Sequence, residues 1–328
     1  MLMLSRVAEN LYWMARYIER AEDTARLINV SSHLMLDMPY RQPLGWAAMV
    51  DITGGAEVFE TLYDEPNDRN VVQFLCADRR YSGSILSALA QARENLRTTR
   101  DVVPREVWEE INQLYMTASA HADAGLGPGR RERFLKLVIR GCQTLIGLIE
   151  GTLSYGGSRT FMMLGRQLER ADMITRIIDV RSANLLQRDS DEIRPFEHLQ
   201  WMSVLKSLTA YQMYRQHVRC RVRATDVLRF LVQDSLFPRS VSRSLKDSIR
   251  ALRSLPRHER ALATATLVLA DVAEADVRAL VRSPEALHDF IDVLQQGFAE
   301  LHTAIARTYF PTLDDLGDGE LLAASDQA

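Results

Sequence analysis

The chain has 328 residues, 47% hydrophobic and 25% charged, with a formal net charge of -3 at pH 7. That balance fits a globular protein of one large domain or two, and it leaves no basic footprint for nucleic acid. Lys occurs only at Lys136, Lys206 and Lys246, so 37 of the 40 basic residues are Arg. This usage suits a GC-rich bacterial genome, and it supplies planar forks able to grip carboxylates.

The start, "MLMLSRVAENLYW", lacks the basic, apolar and small-residue series of a secretory signal. No run of about 18 uncharged apolar residues is present to span a bilayer; the longest candidate, "LVIRGCQTLIGLIEGTL", is broken by Arg140. Apolar spacing near 3.6 predicts helices over 4–37, 83–100, 104–120 and 131–153. In the second half it predicts helices over 155–187, 196–215, 224–233, 240–254, 257–283 and 285–308. Pro104 and the Ser283-Pro284 pair suit helix starts. "GLGPGR" at 125–130 reads as a loop and lacks the GK[ST] ending of a phosphate loop. The stretch 313–328 is acidic and reads as a loose tail. Cys76, Cys142 and Cys220 match no metal or redox spacing and read as reduced core thiols of a cytoplasmic protein.

Several segments occur twice. "ARYIERAEDTARLINV" from Ala15 matches "GRQLERADMITRIIDV" from Gly165, and "FLCADRRYSGSI" from Phe74 matches "FLVQDSLFPRSV" from Phe230. Trp46 corresponds to Trp201, and Gly141 to Gly297. The matches are collinear at offsets of 150 to 156 residues. The expected fold is therefore all-α, an internally duplicated helical bundle with pseudo-twofold related halves at 1–152 and 153–312.

In the first copy a helical projection places Tyr12, Arg16, Glu19, Asp23 and Arg26 along one stripe, with Glu9 and Arg20 at its margin. Arg166, Glu169 and Arg176 repeat the stripe, Arg170 lies beside it, and Met173 replaces Asp23. An apolar residue on such a stripe implies partial burial, and a partly buried Glu needs a partner. Two readings stand. One is an Arg16–Glu19 bridge, repeated as Arg166–Glu169, that locks helices. The other is an Arg/Glu cleft that binds a zwitterion or a carboxylate. Arg93, Arg97 and Arg100 share one helical face beside Glu94; such like charge wants anions from the fold or from a ligand. The second copy is less dense, which biases a site to the first half. No His follows either Glu-Arg-Ala motif as a helical di-iron site requires, so no metal or other cofactor is expected. Asp78 and Asp234 recur near helix ends, where Asp is commonly a cap.

"SRVAENLYWMARYIERAEDTARL", "ARENLRTTRDVVPREVWEEIN", "FLVQDSLFPRSV" and "LGRQLERADMITRIID" together resemble the bacterial alpha-E domain family over roughly residues 1 to 312. Ala15 stands where that pattern has Gly before Arg16. Family members are all-helical and are typically encoded beside circularly permuted ATP-grasp proteins, often with transglutaminase-like proteins. The resemblance carries the family's signature onto Glu9, Asn10, Arg16, Glu19, Arg20, Glu169 and Arg170. It implies a helical partner of an ATP-grasp peptide ligase or peptide-modifying system, binding a peptide or amino-acid substrate. Arg93, Glu94, Arg97 and Arg166 complete the expected substrate-binding set. The rival readings are a stand-alone amide-forming or amide-cleaving enzyme using Glu19 or Glu169 as acid/base, and a pure scaffold.

Overall fold

The computed structural model describes residues 3–37, 45–186, 197–218 and 221–311. Among them the chain is helical and has no strand. The expected tail and Cys220 lie outside the described residues. The first half comprises α1 (Ser5–Asp37), α2 (Ala47–Ile52), α3 (Ala56–Leu62), α4 (Asp68–Cys76), α5 (Ile85–Arg97), α6 (Arg105–Asp123) and α7 (Pro128–Thr152). The second comprises α8 (Gly157–Leu186), α9 (Glu197–Ser207), α10 (Tyr211–Val218), α11 (Ala224–Gln233), α12 (Val241–Leu252), α13 (Glu259–Glu274), α14 (Val277–Arg282) and α15 (Pro284–Tyr309).

α1 and α8 pack against each other along the middle of the molecule. They run parallel, because the residues that meet rise together: Gly165 against Tyr12, Arg170 against Glu19, Arg181 against Ser31. Around α1, helices α5, α6 and α7 close a four-helix ring; around α8, helices α12, α13 and α15 do the same. α2 leans on α8 while α9 leans on α1. The like-placed elements carry the matched segments. Phe74 stacks on Tyr81 at 4.3 Å, and Phe230 on Phe237 at 4.7 Å. Ser84 caps α5 through the Ser87 amide, and Ser240 caps α12 through that of Arg243. Gly141 lets α7 approach Leu114, and Gly297 lets α15 approach Val268.

Several boundaries differ from the periodicity reading. α2, α3 and α4 were not expected. They are 6, 7 and 9 residues long, too short for a helical period to declare itself. α7 begins at Pro128, inside the expected loop, because Pro fits the first helical turn. The segment read as 196–215 breaks at Thr209, whose φ is 55°, ending α9 with a left-handed residue. The segment read as 257–283 breaks before Asp276, which caps α14 through the amides of Arg278 and Ala279. Gln233 Nε2 donates to the carbonyls of Val272 and Ala275 at the end of α13. Among the described residues no helix is long and apolar enough to cross a membrane, and no group of three or more His, Cys, Asp or Glu could hold a metal ion. Cys76 and Cys142 are free and buried, and burial raises both thiols, Cys76 to about 12.

Candidate functional site

At the centre of the parallel pair, two Glu-Arg dipeptides hold each other. Arg170 Nε and Nη2 donate to the two oxygens of Glu19 at 2.7 and 3.0 Å. Arg20 Nε and Nη2 donate to the two oxygens of Glu169 at 2.5 and 3.1 Å. Each is a fork-to-fork pair of the strong, charge-assisted kind. The chain has further Glu-Arg dipeptides at 132–133 and 259–260, but Glu132 and Glu259 are exposed, whereas Glu19 and Glu169 are buried.

The expected Arg16–Glu19 and Arg166–Glu169 bridges do not form. Arg16 instead reaches across to Glu169 at 2.7 Å, and Arg166 pairs with Glu150 at 2.8 Å. The reason is geometric: α8 lies beside the charged stripe of α1, so an Arg there finds a carboxylate on the neighbouring helix. Arg159 shares Glu150. Arg16 also lies 4.9 Å from the Trp13 ring and 3.5 Å from the Tyr12 hydroxyl.

The two ends of the cluster differ. On the Glu19 side Arg239, from the turn before α12, pairs with Glu19 at 3.3 Å, Glu22 at 3.0 Å and Asp23 at 2.6 Å. Arg26 also holds Glu22. On the Glu169 side the counterparts of Asp23 and Arg239 are Met173 and Gly83, so that charge pair is lost as a unit. Arg176 pairs there with Asp172 at 2.9 Å. The side chains of Arg20 and Arg176 are 25% and 35% exposed, against 11% for Arg239. Three Arg (16, 20, 176) face two acids on the Glu169 side, so this end is both open and in excess of positive charge.

Protonation follows from these contacts. Burial works to raise Glu19, but the guanidinium groups of Arg170 and Arg239 outweigh it and hold the carboxyl at about 2. Burial is likewise overcome at Glu169 by Arg20 and Arg16, and its pKa is lowered. Asp23 goes the other way. Burial raises it to about 7, since it shares Arg239 with the repelling carboxylates of Glu19 and Glu22, and its Oδ2 has no partner. Stability from Glu19 is present above its ordinary 4.5 and is lost as pH falls toward 2. Stability from Asp23 is complete below its ordinary 3.8 and is lost as pH rises through about 7. Melting curves from acid to neutral pH should therefore show the wild type falling relative to Asp23→Asn as pH passes through this window. Parallel curves would rule out a raised Asp23.

The remaining expected site residues fall elsewhere. Asn10 Nδ2 donates to Thr98 Oγ1 at 2.9 Å, tying the start of α1 to the end of α5. Glu9 lies beside it in sequence and is half-buried. Glu94 and Arg97 form an exposed surface bridge at 2.7 Å. Arg93 forms no salt bridge among the described residues: its Nε donates to Asn112 Oδ1, and the rings of Trp108 and Tyr115 lie 5.7 and 5.4 Å from its guanidinium carbon. Aromatic faces thus take the place of the expected anions there. Asp78 accepts from the Tyr63 hydroxyl and from Arg80, while Asp234 accepts from the amides of Leu236 and Phe237; both fix turns. Sequence reasoning missed Arg239, Glu22 and Glu150. The joint change from Asp23 and Arg239 to Met173 and Gly83 was a visible signal for the first of these.

The fold and the central cluster define an all-helical protein organised around buried, reciprocally paired Glu-Arg dipeptides. The chain belongs to the Alpha-E family, described as "a predicted alpha-helical domain with a conserved ER motif", which matches residues 3–310. It is also similar to the uncharacterized proteins Mb2597 of Mycobacterium bovis and MT2643 of Mycobacterium tuberculosis, at 23% identity over 274 residues. Each alignment covers 76% of this chain and 30% of the relative, so the chain spans less than a third of the length of the curated relatives it matches. No solved structure matches it.

Proposed function

We propose that the chain is a non-catalytic helical partner of an ATP-grasp peptide ligase or peptide-modifying system, to which it presents a peptide or amino-acid substrate. The observation that carries this reading is the state of Glu19 and Glu169. Both carboxylates are buried, both oxygens of each are occupied by guanidinium groups, and both are held below the ordinary carboxylate range. A general acid needs a proton near working pH, and a base needs room for its substrate; neither group has these. The acid/base rival is weakened accordingly, and the central cluster serves as a clamp.

Substrate contact then falls to the open charges. These are Arg20 and Arg176 at the Glu169 end, and the exposed Glu94–Arg97 bridge on α5, the helix whose C-terminal end Asn10 holds through Thr98. The length of the mycobacterial relatives supports a module that works joined to something else. The test is ADP release from ATP and acceptor peptides with an ATP-grasp partner, with and without this chain. Release should depend on both proteins, and Arg97→Glu should weaken it by about tenfold through charge reversal at an exposed contact, without lowering the melting temperature. A partner that turns over its peptide equally well alone would reject this reading and favour a scaffold.

A further inference from the structure

The first half holds a cavity of about 480 Å³ between the C-terminal part of α1, Trp46, the start of α4 and the start of α7. Its size lies within the ~300–1,000 Å³ of small-molecule sites. Trp46, Asp68, Gly129, Arg131, Glu132 and Leu135 are among the residues lining it. Arg131 is only 6% exposed, and its Nη1 and Nη2 donate to the two oxygens of Asp68 at 2.6 and 2.8 Å. Its guanidinium lies 5.4 Å from the Trp46 ring, and its buried Nε has no partner.

The fold does not require this ion pair. In the second half the positions corresponding to Arg131 and Asp68 are Leu287 and Ala224, both buried and apolar. They stand in the same places, at the starts of α15 and α11. Burying the Arg131 guanidinium against a half-exposed carboxylate is a poor source of stability where apolar residues of similar placement serve as well. The pair's presence beside a cavity in one half only points to a ligand.

The lining sets the ligand's chemistry. The Asp68 side chain is 48% exposed even while bonded to Arg131, so the carboxylate has capacity left for a second donor. Glu132 adds negative charge, partly answered by Lys136. Opposite in sign is the first turn of α7. Gly127 provides no side-chain cap, Pro128 has no N–H, and Gly129 is the next amide along the helix. A Cβ placed at Gly127 or Gly129 would meet nothing within 4 Å, so the backbone there can be approached closely. Trp46 and Leu135 supply apolar surface between the two ends.

We propose that this cavity binds a small zwitterion, a free amino acid or a dipeptide, with its ammonium group on Asp68 and its carboxylate at the start of α7. The site is distinct from the central clamp and stands without any partner enzyme. Isothermal titration of the full chain with the standard L-amino acids singly, and then with their dipeptides, is the direct test. For the zwitterion that binds, the N-acetylated form and the carboxamide form should each bind about tenfold more weakly or worse, since each removes one charged contact. Asp68→Ala/Arg131→Leu, which copies the second half's own residues, should keep the melting temperature within a few degrees and lose binding. Asp68→Asn should lose the ammonium discrimination. The proposal is overturned if no amino acid or dipeptide binds more tightly than about 1 mM, if the blocked forms bind as well as the zwitterion, or if the double variant binds like the wild type.

Discussion

Glu19→Ala should cost about 3–5 kcal/mol of unfolding free energy, because it leaves Arg170 buried without its carboxylate and removes one of the three acids around Arg239. Glu169→Ala removes as many ion pairs but should cost less. The guanidinium groups it releases, Arg16 and Arg20, have side chains 12% and 25% exposed, against 10% for Arg170. A guanidinium that can turn to water recovers part of its hydration; one that cannot carries the full penalty. Urea unfolding of both variants, with slopes compared to the wild type, measures the difference. A Glu19→Ala protein within about 1 kcal/mol of wild type would place this pair with ordinary surface bridges, and the clamp reading would fail with it.

The order of these two costs could not have been read from the sequence, although the residues could. The repeated stripe named Arg16, Glu19, Arg20, Glu169 and Arg170 as a set, and the replacement of Asp23 by Met173 correctly signalled that water does not bathe it. Pairing went astray because helical spacing reports only neighbours on the same helix. Arg16 and Glu19 are three residues apart, yet the shorter path for Arg16 runs across to α8. Which helix lies opposite is a property of tertiary packing. The long helices were legible for the same reason that the short ones were not. α1, α7, α8 and α15 each run for 25 residues or more, which is many turns of a period, whereas α2 has fewer than two. The cavity beside Arg131 left one faint mark in the sequence: charged residues at 68 and 131 where the matching positions hold Ala224 and Leu287.

Gly165→Ala should unfold the protein more readily by about 3 kcal/mol or more, at the upper end of overpacking effects. Helix propensity alone gives the opposite sign, since Ala in a helix interior is favoured over Gly by about 1 kcal/mol. Sterics decide here. A Cβ at Gly165 would overlap the main-chain carbonyl oxygen of Tyr12 and lie 3.3 Å from Arg16 Cγ. A carbonyl inside α1 cannot swing aside as a side-chain tip can. Nor can α1 withdraw as a body, because Tyr12 is tied to His302 at 2.9 Å and packs on Phe310, while Arg16 and Arg20 hold Glu169 within 2.7 Å just above. Moving the helices apart to admit one methyl group would lengthen those bonds. Gly147, inside α7, is the control: a Cβ there meets nothing within 4 Å, so Gly147→Ala should raise stability by up to about 1 kcal/mol. Opposite signs for the two Gly→Ala changes in matched urea melts would establish the close crossing of α1 and α8. Equal gains would mean that the helices do not meet at Tyr12, and the reciprocal Glu-Arg pairing above that point would lose its geometric basis.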